Sequence, residues 1–255
     1  MPVENPLSLP VLLTFLLVLA RVSGVFAFVP IPGFRSSPVA ARVVLSVALS
    51  VALLPVWPRI AAPAGPGRIF AWVGAEAAFG LMIGVAVAFV TEGFLIATQA
   101  LALQAGYAYA STIDPSSEAD SGVLTVMAQL SANLLFFTTG MDRAVIRAMA
   151  SNLDRHPPGT FWADLSSGPA LVSLGAQAFI TGLRLALPVV ALLLLVDITL
   201  ALTGRIQAQL QLLSLAFPVK MLAAVALLAS LAAVFPILFS QSAGRTLEAV
   251  GKLVR

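Results

Sequence analysis

Apolar positions in this chain gather into long runs separated by short polar breaks. The first run extends from about Leu7 to Val29 and holds Arg21. It ends at Pro30-Ile31-Pro32-Gly33, which a helix does not readily cross. The second extends from about Val39 to Val56, with Arg42 near its start, and stops at Pro55 and Pro58. A Pro/Gly-rich linker, Arg59 to Arg68, leads to the third. That run begins near Ile69, passes Val90, and keeps a more polar helical pattern to about Gln104. The fourth extends from about Val123 to Thr139, before a polar region from Asp142 to Ser167. The fifth, Ala170 to Thr203, is too long for one plain span and is interrupted by Pro188. The sixth, Leu210 to Phe239, contains Pro218, Lys220 and Pro236, and a short basic tail with Arg245, Lys252 and Arg255 follows. Several runs reach the roughly 20 residues that a helix needs to cross hydrocarbon. The pattern predicts an all-α, polytopic helical membrane protein: one integral membrane domain over residues 1–255 with about six apolar segments and no visible internal repeat.

The stretch from Gln104 to Gly122 breaks the pattern. It is small, polar and acidic, with Gly106, Tyr107, Ala108, Tyr109, Ala110, Ser111 and Ile113, a turn-forming Asp114-Pro115, then Glu118 and Asp120. Two readings are open. It is a connector facing water, or it lines or blocks an aqueous path inside an assembly.

Composition agrees with a membrane protein. Apolar residues make up 60% and charged residues 10%, with mean hydropathy +1.01. A soluble domain carries about 25% charged residues. The N-terminus lacks a basic stretch before its apolar run, so that run is expected to stay as a span in contact with membrane lipid. There is no cysteine, which excludes disulfides, thiolate metal sites and cysteine nucleophiles. The net charge of +3 comes from basic residues at segment ends, a topology signal and not one for nucleic acid. With six spans, Arg59, Arg68, Arg143, Arg147, Arg155, Arg245, Lys252 and Arg255 share the N-terminal side. The positive-inside rule then places both termini in the cytoplasm and the acidic loop on the far side.

Ionisable groups inside apolar runs are costly, and usually face a bundle interior or an aqueous cavity. Here they are Arg21, Glu76, Glu92, Arg184 and Asp197, with Arg205 and Lys220 as further candidates. Glu76, Gly80, Gly84, Ala88 and Glu92 recur every four residues as one slowly turning stripe. Its small residues let another helix approach closely. The stripe is ordinary helix packing, or it is a subunit contact in which a carboxylate meets a neighbour's arginine. Arg184 and Asp197 are too far apart to pair on one straight helix, so they need other partners or a kink at Pro188. His156 stands alone before Pro157-Pro158-Gly159, and no catalytic triad, phosphate loop or HExxH occurs. No enzyme, cofactor or metal site is expected. An alternative function is a secondary transporter or ion-translocating subunit relaying protons through Glu76, Glu92 and Asp197. The two matching half-chains typical of such carriers are absent from the sequence.

The order of these features resembles the family of the flagellar biosynthetic protein FliR and its counterpart in virulence-associated type III secretion. Four stretches carry the resemblance: Arg21 with Pro30-Ile31-Pro32 and Arg42; Glu76, Gly80 and Gly84 through Glu92 and Gln99 to Ala105-Gly106 and Asp114-Pro115; Asn133 to Gly140 with Ser151 and Pro157; and Leu187-Pro188, Arg205, Gln209 and Phe217-Pro218-Val219-Lys220. Ala208, Gln211, Ala216 and Met141-Asp142 depart from the family pattern. The resemblance implies an export-gate subunit in the bacterial inner membrane, at the flagellar basal body, built of kinked helical hairpins. It implies assembly with FliP-type and FliQ-type subunits into a pore-forming ring, with FlhB-type and FlhA-type proteins on the cytoplasmic side. Unfolded export substrates would pass through that pore. The positions matching the family's pore-closing loop run from about Gly106 to Ser121.

Overall fold

The computed structural model describes residues 8–29, 39–57, 65–107, 123–160, 168–206, 212–231 and 234–253. Among them the chain is helical, with one short 3-10 turn and no strand. In chain order the helices are α1 (Leu9–Phe28), α2 (Val39–Ala52), α3 (Pro66–Ala105), α4 (Val123–Thr138), α5 (Met141–Arg155), α6 (Gly168–Ile206), α7 (Leu212–Leu231) and α8 (Phe235–Leu253). The 3-10 turn is Leu54–Val56. Three helices, α1, α3 and α6, are long and apolar enough to cross a membrane. The number rises to as many as five if the bent pairs α4–α5 (57°) and α7–α8 (61°) each count as one span. Six apolar segments are expected from sequence; α2, with 14 residues, falls short of a span on its own.

Proline decides several helix ends. The residue before a proline is pushed out of the α region because the proline ring crowds its N–H and Cβ. Val29 (ψ 129°), Trp57 (ψ 124°) and His156 (ψ 84°) each precede a proline, and each leaves the helix or turn before it. Pro188 behaves differently. An interruption is expected there, but α6 runs through it as one helix. The proline removes a single backbone donor, and a hydrogen-bonded helix is still the only economical backbone in hydrocarbon. The expected sixth segment divides instead. Pro236 sits at the second position of α8, where a missing N–H is harmless, and the basic tail continues as helix to Leu253.

The polar region after Thr139 is also helical, which the runs of apolar residues do not indicate. In α5, Met141, Val145, Met149, Asn152 and Leu153 are buried, a spacing of three and four that gives one inward stripe. Asp142 in its first turn and Arg155 in its last complement the helix dipole. Gly140 precedes it in the left-handed region (φ 73°), a conformation a side chain would oppose.

The chain divides into two compact units. The first comprises residues 1–89, 136–175 and 242–255, and the second 90–135 and 176–241. In the first unit α1 and α2 form an antiparallel hairpin. Arg42 Nη1 donates to the Ala27 carbonyl at 2.8 Å at one end of the pair, and the Trp57 ring meets Phe15 with centroids 5.8 Å apart at the other. On α2 the buried face is polar and the outer face apolar, while α1 buries mainly Leu17, Val18, Val22 and Val25. Ser46 and Ser50 are buried, and their hydroxyls donate to the carbonyls one turn back at 2.7 Å. Val39, Val43, Val44, Val47 and Val51 are exposed. Small residues inside and branched aliphatics outside is the arrangement of helices whose surroundings are as apolar as their side chains.

In the second unit α3 and α6 run parallel and α7 returns antiparallel to α6. A Cβ on Gly182 would lie 2.6 Å from the Gly93 carbonyl oxygen, and one on Gly93 would lie 3.0 Å from that of Ala178. The two backbones therefore touch. Leu101, Ala105, Val189, Leu193 and Ala224 form the buried cluster where the three helices meet. Most of α6 is open: Phe179, Ile180, Leu183, Leu187, Leu192, Leu195, Ile198 and Leu202 are all exposed.

Candidate functional site

Two polar constellations stand out, one in each unit. In the first unit, Arg21 on α1 and Glu76 on α3 are 1% and 0% exposed, and Arg21 Nε donates to Glu76 Oε2 at 2.5 Å. Two buried charges survive only when paired and further hydrogen-bonded. Here the further bonds come from α5 and the turn after it. Arg21 Nη1 donates to Asn152 Oδ1 at 2.5 Å and to the His156 carbonyl at 3.1 Å, while the Gly159 N–H donates to Glu76 Oε1 at 2.8 Å. The Arg21 guanidinium also lies over the Phe79 ring, 5.1 Å from its centroid. One ion pair thus ties three helices and a turn together.

Glycine makes the pair reachable. Below the charges α1 lies against α3 so closely that a Cβ on Gly80 would collide with the Arg21 carbonyl oxygen. One on Gly84 would lie 2.6 Å from the Val25 oxygen, and one on Gly24 the same distance from that of Ala77. The arginine that meets Glu76 therefore comes from this chain's own α1. The stripe also parts company with itself. Positions four apart on a helix advance by about 40° per step, so Glu92 has turned about 160° from Glu76. Glu76, Gly80 and Gly84 are buried, Ala88 is half-buried and Glu92 is exposed.

In the second unit the polar constellation sits where α3 ends. The helix closes in a left-handed turn at Gly106 (φ 87°). The Tyr107 N–H donates to the Ala102 carbonyl at 2.9 Å and the Gly106 N–H to that of Leu103 at 3.2 Å. This pair of bonds is the Schellman closure, which uses glycine because only glycine enters the left-handed region without cost. We expect Gly106→Ala to weaken this helix end by about 1–2 kcal/mol, seen as faster amide exchange at Tyr107 and Gly106 with exchange in the middle of α3 unchanged.

Beyond the turn, Tyr107 packs on the three-helix cluster and its hydroxyl donates to the Met221 carbonyl on α7 at 3.2 Å. Next to Met221, Lys220 Nζ lies 2.8 Å from Asp197 Oδ1 and 3.0 Å from Oδ2. Gln104 Nε2, in the last turn of α3, donates to Asp197 Oδ2 at 3.0 Å. Lys220 thus supplies the partner that Asp197 lacks on its own helix. Arg184 and Arg205 are exposed on α6, Arg205 in its last turn, and Pro188 and Pro218 lie within α6 and α7. Ala108, Tyr109, Ala110, Ser111, Ile113, Asp114 and Pro115 lie outside the described residues.

Sequence reasoning reaches Arg21, Glu76, Asp197 and Lys220 through the cost of charge in apolar runs, and misses what completes them. Asn152 is buried within a polar helix, the Gly159 and His156 contributions are backbone groups, and Gln104 reads as the edge of a loop. Asn152 shares the inward stripe of α5 with the apolar residues Val145 and Met149, and that periodicity is the one signal that could have found it.

Among the described residues no group of three or more His, Cys, Asp or Glu could hold a metal ion. What the two sites do chemically is hold backbones in place. Comparison with known proteins says where such a scaffold is used. Residues 12–246 match the family described as bacterial export proteins, family 1. The flagellar biosynthetic protein FliR of Escherichia coli K12 is 28% identical over 215 residues, covering 84% of this chain and 82% of that one. FliR of Caulobacter vibrioides is 28% identical over 219 residues (84% and 86%), and FliR of Bacillus subtilis 24% over 211 residues (81% of each). With a match across nearly its whole length and long apolar helices to cross a bilayer, the chain belongs to bacterial export protein family 1, the FliR family, and is a membrane component of the flagellar export apparatus.

Proposed function

We propose that the chain is an export-gate subunit of the flagellar type III apparatus in the bacterial inner membrane, and that the segment from about Gly106 to Ser121 closes the conduit for unfolded flagellar proteins. FliP-type and FliQ-type subunits would complete the ring, and FlhB-type and FlhA-type components would join it on the cytoplasmic side. The chain contributes wall and closure; its sequence has no phosphate-binding loop, so the driving force comes from elsewhere.

The observation that carries this reading is the root of the segment. A stretch of small and polar residues leaves α3 through a closed glycine turn, and its first side chain is tied to α7 by a hydrogen bond and apolar packing. A connector needs no such fixture. A closure does, because it must return to one place after each passage. The ion-translocating alternative loses support at the same time. Glu76 and Asp197 each face a cation of the same chain, which commits two of the three carboxylates such a relay needs.

Deleting Ala108 to Ser111, beyond the root, tests the reading. Membrane vesicles containing the assembled apparatus should become permeable to small solutes. Tight vesicles around a fully assembled deletion variant would overturn it.

A further inference from the structure

The root of the closing segment is held by more than its glycine turn. Three linked contacts tie it to α6 and to two adjacent residues of α7. Tyr107 reaches the backbone of Met221. Gln104, three residues before it, reaches Asp197. Asp197 is held by Lys220, the neighbour of Met221. The Asp197 side chain is 38% exposed and that of Lys220 14%. Around them, Leu194, Leu195, Ile198 and Leu222 are exposed and apolar. A carboxylate in such company is expensive unless its charge is answered. The last turn of α3 contributes no cation here: Gln104 offers only an amide donor. Without Lys220 the carboxylate would turn to water and away from Gln104. Without Asp197 the ammonium would lose its reason to stay beside Met221.

We propose that Asp197, charge-paired with Lys220, is the positioning residue for the base of the 106–121 segment, clamping Gln104 and Tyr107 against α6 and α7. Its part in closing the conduit rests on the reading of that segment given above. Its part in holding the segment's base does not. The bond to Gln104 is charge-assisted, and such bonds are shorter and stronger than neutral ones. Asp197→Asn keeps the shape and an acceptor for Gln104 but removes the charge that holds Lys220. Lys220→Ala removes the other half.

The absence of cysteine makes the test direct. Ala105, fully buried in the three-helix cluster beneath the clamp, is replaced by cysteine in the full chain within the assembled apparatus. Its reaction with a small membrane-permeant thiol reagent then reports opening of the base. We expect protection with the clamp intact. In Asp197→Asn and in Lys220→Ala, labelling should be about tenfold faster, the scale of losing one charge-assisted contact, with the amount of assembled complex unchanged. The exchanged pair, Asp197→Lys with Lys220→Asp, should restore protection, which a residue that merely fills space would not do. Unchanged labelling in both single variants overturns the proposal, as does failure of the exchanged pair to restore protection, or loss of assembly in both single variants. Solute leakage is measured on the same vesicles. Faster labelling with tight vesicles supports the clamp and overturns the closing role of the segment.

Discussion

Glu76→Ala should leave little stable protein. The variant strands a guanidinium that is 1% exposed among α1, α3 and α5, with Asn152 and the His156 carbonyl as its remaining partners. It also leaves the Gly159 N–H without its acceptor. Breaking a buried pair by removing one partner costs about 3–5 kcal/mol, a large part of the roughly 5–15 kcal/mol that holds a domain together. The expected result is loss of the chain from the membrane fraction and loss of motility, with the purified remainder melting well below the parent in detergent. Arg21→Met with Glu76→Leu should recover part of that stability, since an apolar pair of similar volume carries no desolvation cost. Asn152→Ala should cost less, about 1–3 kcal/mol, because the ion pair itself survives. Normal accumulation and melting of Glu76→Ala would mean that the pair does not support this unit.

The second large effect is expected at Gly80. Gly80→Val would place two further carbons where even a Cβ collides with the backbone of Arg21. Neither a backbone oxygen nor a helix axis can yield as a side chain does, so the helices must separate. Overpacking of a closed core costs about 1–3 kcal/mol, and separation also draws Arg21 away from Glu76, adding to the loss. We expect Gly80→Val to approach Glu76→Ala in severity, and Gly24→Ala and Gly84→Ala to be milder versions of the same fault. Gly74 is the control. It lies nearly two turns earlier on α3, and a Cβ there would have nothing within 4 Å of it. At that position Gly→Ala should be neutral or stabilise by up to about 1 kcal/mol, the helix-propensity gain alone. Thermal unfolding in detergent of the four variants side by side checks the order; a Gly80→Val protein as stable as Gly74→Ala would contradict the close approach of α1 and α3.

Some of this is legible in the residues alone. Pro30 and Pro58 announce the ends of the runs they stop, because the restriction on the preceding residue is local. The small-residue spacing of Gly80 and Gly84 announces a close helix neighbour. Pro188 and Pro236 are not equally legible, although both are prolines. One lies deep in a helix that continues, the other at a second helical position where it is tolerated, and the difference depends on the surroundings. The helix over residues 141–155 is hidden because its charges mask the inward stripe.

The residues that matter in the two polar sites are marked by sequence as costly charges in apolar runs, and their partners are not. Arg21 and Glu76 are 55 positions apart, Arg21 and Asn152 131, and Gln104 and Asp197 93. Periodicity and local sterics reach a turn or two along the chain, and nothing local ties such distances together. By itself, then, the sequence determined an all-helical membrane protein, most of its helix ends, and the charges that would need answering. Only the tertiary structure decided which charge answers which, because that depends on how closely backbones approach, and the glycines of α1, α3 and α6 permit an approach whose partner no local pattern names.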